Sequence, residues 1–174
     1  KTQPAAAALS QAFAERLVAK TYLAVVTGSA FPPGETEFAM PLTRHIARPG
    51  LELMRAVRPG DQSSQSAVTR WRVLSSSGST HLLAVEPQTG RMHQIRVHLS
   101  IEGRPILGDP YNGGASTLKG EPVPRLMLHA ASLDLPHPTA GGRIVLNAPP
   151  PADFLAVLSA AGLDMPADLV FKST

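Results

Sequence analysis

The sequence predicts an α+β domain built on an antiparallel sheet. Short β-rich stretches recur along the chain and are mostly joined by turns. Clear helical patterning is confined to the two ends, with one ambiguous stretch in the middle. The 174 residues are 43% apolar and 17% charged, which is enough to fold as one unit around a sizeable core. Strands joined by turns, with only a few helices, are the pattern of an α+β architecture.

The elements follow in order. "TQPAAAALSQAFAERLVAK" places Pro4 near a first helical position and runs through strong helix formers, with Leu9 and Phe13 four apart, so a helix is expected over 4–16. "TYLAVVTG" is a β-rich stretch that Gly28 ends, and "FPPGE" is a turn. "TEFAMPL", "LELMRAV", "VTRWRVL" and "THLLAVE" are expected strands, separated by "RPG", "RPGDQSSQS" and "SSSGS". "RLMLHAASLDL" and "GRIVLNA" are two more around the turn "PHPTAGG". "PADFLAVLSAAG" is a second helix, with Pro151 and Asp153 in its first turn and Gly162 as its stop. "MHQIRVHLSIEGRP" reads as strand or helix by period. Gly103 followed by Pro105 is a helix-stop signature and leans the reading towards a short helix.

Charge is uneven. The formal net charge is +3, but residues 44–104 hold nine arginines against Glu52, Asp61, Glu86 and Glu102. A basic half on a small domain suits an anionic partner, nucleic acid first, although a solvated surface has the same composition. Cysteine is absent, which excludes a disulfide framework and thiolate metal sites and fits a reducing cytoplasm. No apolar run approaches the roughly 20 residues that span a bilayer. The chain starts at lysine, without a signal peptide or an initiating methionine, and is expected to have been cut from something longer.

Among chemical candidates, His93 and His98 are five apart, whereas a zinc pair on one helical face wants four, so no metal is expected. "GRPILGDPYNGG" lacks the lysine-serine pair of a phosphate loop, and its Asp109 reads as a turn residue. Tyr22 by default packs its ring in a strand and keeps its hydroxyl at the rim. Arg96 stands out. A cation carried beside Ile95, Val97 and Leu99 would cost several kcal/mol if buried unpaired, so it needs an anion, either a carboxylate of the protein or a phosphate of a ligand.

"TGRMHQIRVHLSIEGRPILGDPYNGG" resembles the signature of RluA-type pseudouridine synthases, which isomerise uridine in ribosomal and transfer RNA. "LVAKTYLAVVTG", "SAVTRWRVL", "RLMLHAASLDLPHP" and "APPPADF" match in the same order, so the resemblance runs from Lys1 to about Leu158. It implies the pseudouridine synthase fold, a large bent and mainly antiparallel sheet with a few flanking helices. On this reading residues 1–174 are one domain, most of a catalytic domain truncated at its N-terminus. The family's nucleophile is an aspartate in an R-L-D-x-x-T-S-G motif upstream of the matching "KT", and no such motif occurs in the 174 residues. Met92 stands where many members carry threonine; methionine cannot cap a helix through its side chain, so a looser first turn is expected.

The resemblance also implies roles. Arg96 matches the arginine that pairs with the catalytic aspartate, and Tyr22 matches the tyrosine that lies against the target base and handles the proton at uracil C5. Arg91, His93, Arg104 and Arg125 are candidate RNA contacts. No cofactor is implied, and the partner is ribosomal or transfer RNA, with no membrane or obligate protein partner. A non-catalytic RNA-binding domain of the same fold is the competing reading.

Overall fold

The computed structural model describes residues 2–166 apart from Pro33 and Pro59. Helix α1 (Gln3–Ala14) comes first, with a proline in its first turn. Five strands follow: β1 (Ala19–Thr27), β2 (Glu35–Ala39), β3 (Leu42–Arg48), β4 (Leu51–Ala56) and β5 (Val68–Ser77). Then come β6 (Thr80–Pro87), helix α2 (Gln94–Ile101), the two-residue strands β7 (Thr117–Leu118) and β8 (Glu121–Pro122), β9 (Leu128–Pro136), β10 (Arg143–Asn147) and helix α3 (Ala152–Ala161). The α+β expectation holds: the main sheet has six strands in the order β10-β9-β1-β6-β5-β2, and every pairing in it is antiparallel.

The two central strands explain where the core sits. Leu23, Ala24, Val25 and Val26 in β1 are fully buried in succession, as are Leu82, Leu83 and Val85 in β6. A run without polar alternation marks a strand covered on both faces, and burying each such leucine or valine contributes about 1.5–3 kcal/mol. Ile95 and Leu99 of α2, Phe154, Val157 and Leu158 of α3, and Trp71 of β5 close over the same cluster.

The ambiguous middle stretch is helical. Ile95 and Leu99 enter the core, Gln94 and His98 face β5, and Arg96 points away from both. Beyond α2 the chain does not leave the sheet. Thr27 donates to the Pro105 carbonyl, and Leu107 donates to the Val25 carbonyl, so 105–107 lie against the far half of β1. "GRPILGDP" is therefore bound to the core on its way to the Asp109 turn.

Three readings need correction. β3 is not among the expected strands; it forms a separate hairpin with β4, and the chain reverses at "RPG" to set Leu51 opposite Arg48. Its burial is confined to Leu42 and Thr43, and its remaining residues are half-buried or exposed, so it lacks the apolar alternation that marks a strand. The small β7–β8 hairpin is likewise unexpected, because two-residue strands carry no period. Pro151 sits just before α3 rather than within its first turn.

Candidate active-site cleft

The start of α2, β1, the end of β6 with the loop after it, and the start of β9 with the loop before it build a cleft of about 410 Å³. Tyr22 comes from β1, Arg91 from the loop after β6, and His93, Gln94 and Arg96 from the start of α2; Leu126 and Leu128 form an apolar wall. The pairing of β1 with β9 shifts register beside Tyr22, where Ala131 of β9 is left without a partner on β1.

A buried hydrogen-bond chain fixes α2. Gln94 donates through Nε2 to the Val68 carbonyl (2.9 Å) and to Thr69 Oγ1 (3.0 Å). Its Oε1 accepts from Thr89 Oγ1 (2.6 Å) and from the Arg91 backbone N–H (3.0 Å). Thr69 Oγ1 also bonds His98 Nδ1 (2.9 Å), and His98 Nε2–H donates to the Met40 carbonyl (3.0 Å). Burial holds its pKa below the usual histidine value, against the opposing effect of the Met40 carbonyl. The N-cap position is His93 rather than Met92, and no side chain caps the first turn; Gln94 pins it from within, so the looser turn expected from Met92 is not what is found.

His93 precedes α2 in the left-handed region, at φ 54°. Such a conformation costs a residue with a side chain about 1–3 kcal/mol and is a feature of ligand-facing turns. Its Nδ1 is buried without a hydrogen-bond partner among the described residues. Burial lowers its pKa, the Arg96 guanidinium lowers it further, and Asp109 partly opposes both. His93 and His98 thus face different surroundings, and both nitrogens of His98 are occupied.

Arg96 finds its anion inside the chain. It donates through Nε to Asp109 Oδ2 (2.8 Å) and through Nη2 to Oδ1 (2.7 Å). Asp109 is fully buried and also accepts from the Tyr111 and Asn112 backbone, the Asx geometry of the turn that its position suggested. Burial alone would raise the Asp109 pKa, but the hydrogen bonds from Arg96, Tyr111 and Asn112 prevail and hold it below the usual carboxylate range. Read from sequence, Asp109 is a turn residue, and its pairing with Arg96 appears only in the fold.

The remaining candidates lie elsewhere. Arg104 stacks over Phe31 at 4.1 Å and donates to the Ser29 and Ala30 carbonyls, tying down the loop after β1. Arg125 forms a two-point ion pair with Asp153 and so fastens the chain before β9 to α3. Both guanidinium groups make internal contacts, and neither lines the cleft. Arg91 does line it, and its Nε donates to the Ser66 carbonyl at 3.1 Å.

A family model described as RNA pseudouridylate synthase matches residues 1–101. The chain belongs to this family. A "Ribosomal large subunit pseudouridine synthase D" of Xanthomonas campestris is 36% identical over 170 residues, covering 92% of this chain and 49% of the relative. A "tRNA pseudouridine synthase C" of Pectobacterium carotovorum is 34% identical over 158 residues, covering 82% of this chain and 40% of the relative. Among solved structures, human RNA pseudouridylate synthase domain containing 4 superimposes with a TM-score of 0.75 at 28% identity, over 95% of this chain and 70% of that one. The chain spans about half the length of the curated relatives it matches. No helix among the described residues is long and apolar enough to cross a membrane.

Proposed function

We propose that this chain supplies the base-binding and arginine side of a site that converts uridine to pseudouridine in ribosomal or transfer RNA, within a longer protein acting in the cytoplasm. The observation that carries the proposal is the convergence of Tyr22, Arg91, His93 and Arg96 on one cleft. The target uridine leaves its stack at a cost of a few kcal/mol and enters the cleft. Its ring lies against Tyr22 and the apolar wall of Leu126 and Leu128, and its phosphates face Arg91.

The reaction exchanges the C1′–N1 bond for a C1′–C5 bond, and the proton lost from C5 is balanced by one gained at N1. The nucleophile implied by the family resemblance is an aspartate that the 174 residues do not carry in an R-L-D motif. Arg96 supports it: a fixed positive charge in a partly dry pocket keeps a carboxylate ionised and oriented. Tyr22 is placed to handle the C5 proton, and its oxygen accepts that proton only once its own hydroxyl proton has left, so that the count closes with the proton gained at N1.

The test uses a protein extended upstream to include an R-L-D segment, with RNA labelled with tritium at uridine C5. Release of tritium is expected, and Arg96→Ala removes most of it while RNA affinity, read by filter binding, changes less. An Arg96→Ala protein that turns over at the parental rate would refute the assignment. A second reading, RNA binding without chemistry, would be favoured if the extended protein bound RNA and released no tritium.

A further inference from the structure

We propose that Asp109 is a positioning residue for the isomerisation, holding one edge of the Arg96 guanidinium so that the opposite edge meets the reacting anion. This rests on the functional reading above and adds to it a residue that reasoning from the sequence treats as part of a turn.

The first ground is the geometry of the pair. The carboxylate takes the Nε and Nη2 side of the guanidinium, at 2.8 and 2.7 Å. Nη1 has no hydrogen-bond partner among the described residues, while Arg96 lines the cleft with 14% of its side chain exposed. One edge of the half-buried guanidinium is saturated by Asp109, and Nη1 on the other edge is open towards the cleft. A guanidinium is a planar fork, so clamping one edge sets the direction of the other.

The second ground is that Asp109 cannot do anything else. Its two oxygens accept from Arg96 Nε and Nη2, from the Tyr111 and Asn112 backbone, and from Asn112 Nδ2 at 3.2 and 3.0 Å. With its acceptor capacity filled and its side chain fully buried, it is neither a base nor a nucleophile.

The third ground is the rigidity of the loop that carries it. A Cβ at Gly108, where φ is +74°, would stand 2.0 Å from the Arg125 carbonyl oxygen. A Cβ at Gly114 would stand 1.9 Å from the Ile106 carbonyl oxygen and 2.7 Å from the Asp109 nitrogen. Only glycine permits this packing, and Asp109 N–H and Gly114 N–H close the turn on the Ile106 and Asp109 carbonyls. The Tyr111 ring, 5.9 Å from the guanidinium carbon, covers Arg96 on its outer side.

The experiment is a double-mutant cycle in the extended protein, with Asp109→Asn, Arg96→Lys and the two combined. Single-turnover rate at saturating protein, RNA affinity and thermal midpoint are measured for each. Asp109→Asn keeps the shape and weakens the clamp, and a misplaced group of this kind is expected to lower the rate by about 10²-fold. RNA affinity should stay within about twofold. Because Asp109 acts through Arg96, the double variant should react as slowly as Arg96→Lys alone and no slower, a result that a merely structural role would not give. If Asp109→Asn does not fold, Asn112→Ala removes two of the six bonds to the carboxylate, keeps the ion pair, and should lower the rate at a nearly parental thermal midpoint.

Parental rates in Asp109→Asn, in Asn112→Ala where that variant is needed, or rate losses that multiply in the double variant would overturn the inference alone. A parent that binds RNA and isomerises no uridine would overturn the functional reading and this inference with it.

Discussion

Replacing Gln94 by leucine tests whether α2 is held by its internal hydrogen bonds. The side chains are similar in size, and Gln94 is 3% exposed, so the change removes polar atoms without opening a large cavity. Four hydrogen bonds disappear. Two of the acceptors keep another donor or contact: the Val68 carbonyl still accepts from the Gln88 N–H, and Thr69 Oγ1 still bonds His98. The Thr89 hydroxyl proton and the Arg91 N–H lose their acceptor. A cost of about 1–3 kcal/mol for each of the two stranded donors, with the two acceptors that keep a partner adding little, gives a destabilisation of roughly 2–6 kcal/mol. For a domain of this size that lowers the thermal midpoint by about 4–24 °C. Urea and thermal unfolding of parent and variant measure it, with Gln88→Leu as a control on an exposed side chain, expected within about 0.5 kcal/mol of the parent. A Gln94→Leu protein less than about 1 kcal/mol below the parent would show that apolar contacts of Ile95 and Leu99 hold the helix without the network.

Tyr22→Phe keeps the ring and loses the hydroxyl; in the extended protein RNA binding should persist while tritium release falls by at least about 10²-fold, and normal turnover would leave Tyr22 as a stacking surface only. The 174 residues alone should bind structured RNA weakly, with affinity falling as salt rises, and isomerise no uridine, since they lack an R-L-D aspartate; tritium release by them would refute this. His98 contributes a pH dependence of known sign. Its folded pKa is lowered by burial, so the unfolded chain takes up a proton near pH 6.5 that the folded one refuses, and stability falls as pH drops through and below that value. Urea unfolding at pH about 7.5 and about 5 should show a smaller loss for His98→Gln than for the parent, and an equal loss would assign the dependence to other groups.

Much of this protein follows from local pattern. The apolar runs of β1 and β6, the proline and glycine boundaries of α1 and α3, and the stop at Gly103 depend on residues near one another in sequence, where steric preference and period act directly. The need of Arg96 for an anion was also legible, because a cation among Ile95, Val97 and Leu99 has only two remedies wherever it ends up. Which anion it meets was decided by the tertiary structure. Asp109 lies thirteen residues away and reaches Arg96 only because 105–107 bind alongside β1 and bring the turn back beneath α2. The same holds for Arg104 and Arg125, whose internal partners Phe31 and Asp153 are set beside them only by the fold. Charge and polarity are properties of a residue, whereas its partner depends on where the rest of the chain is placed by burial of the core.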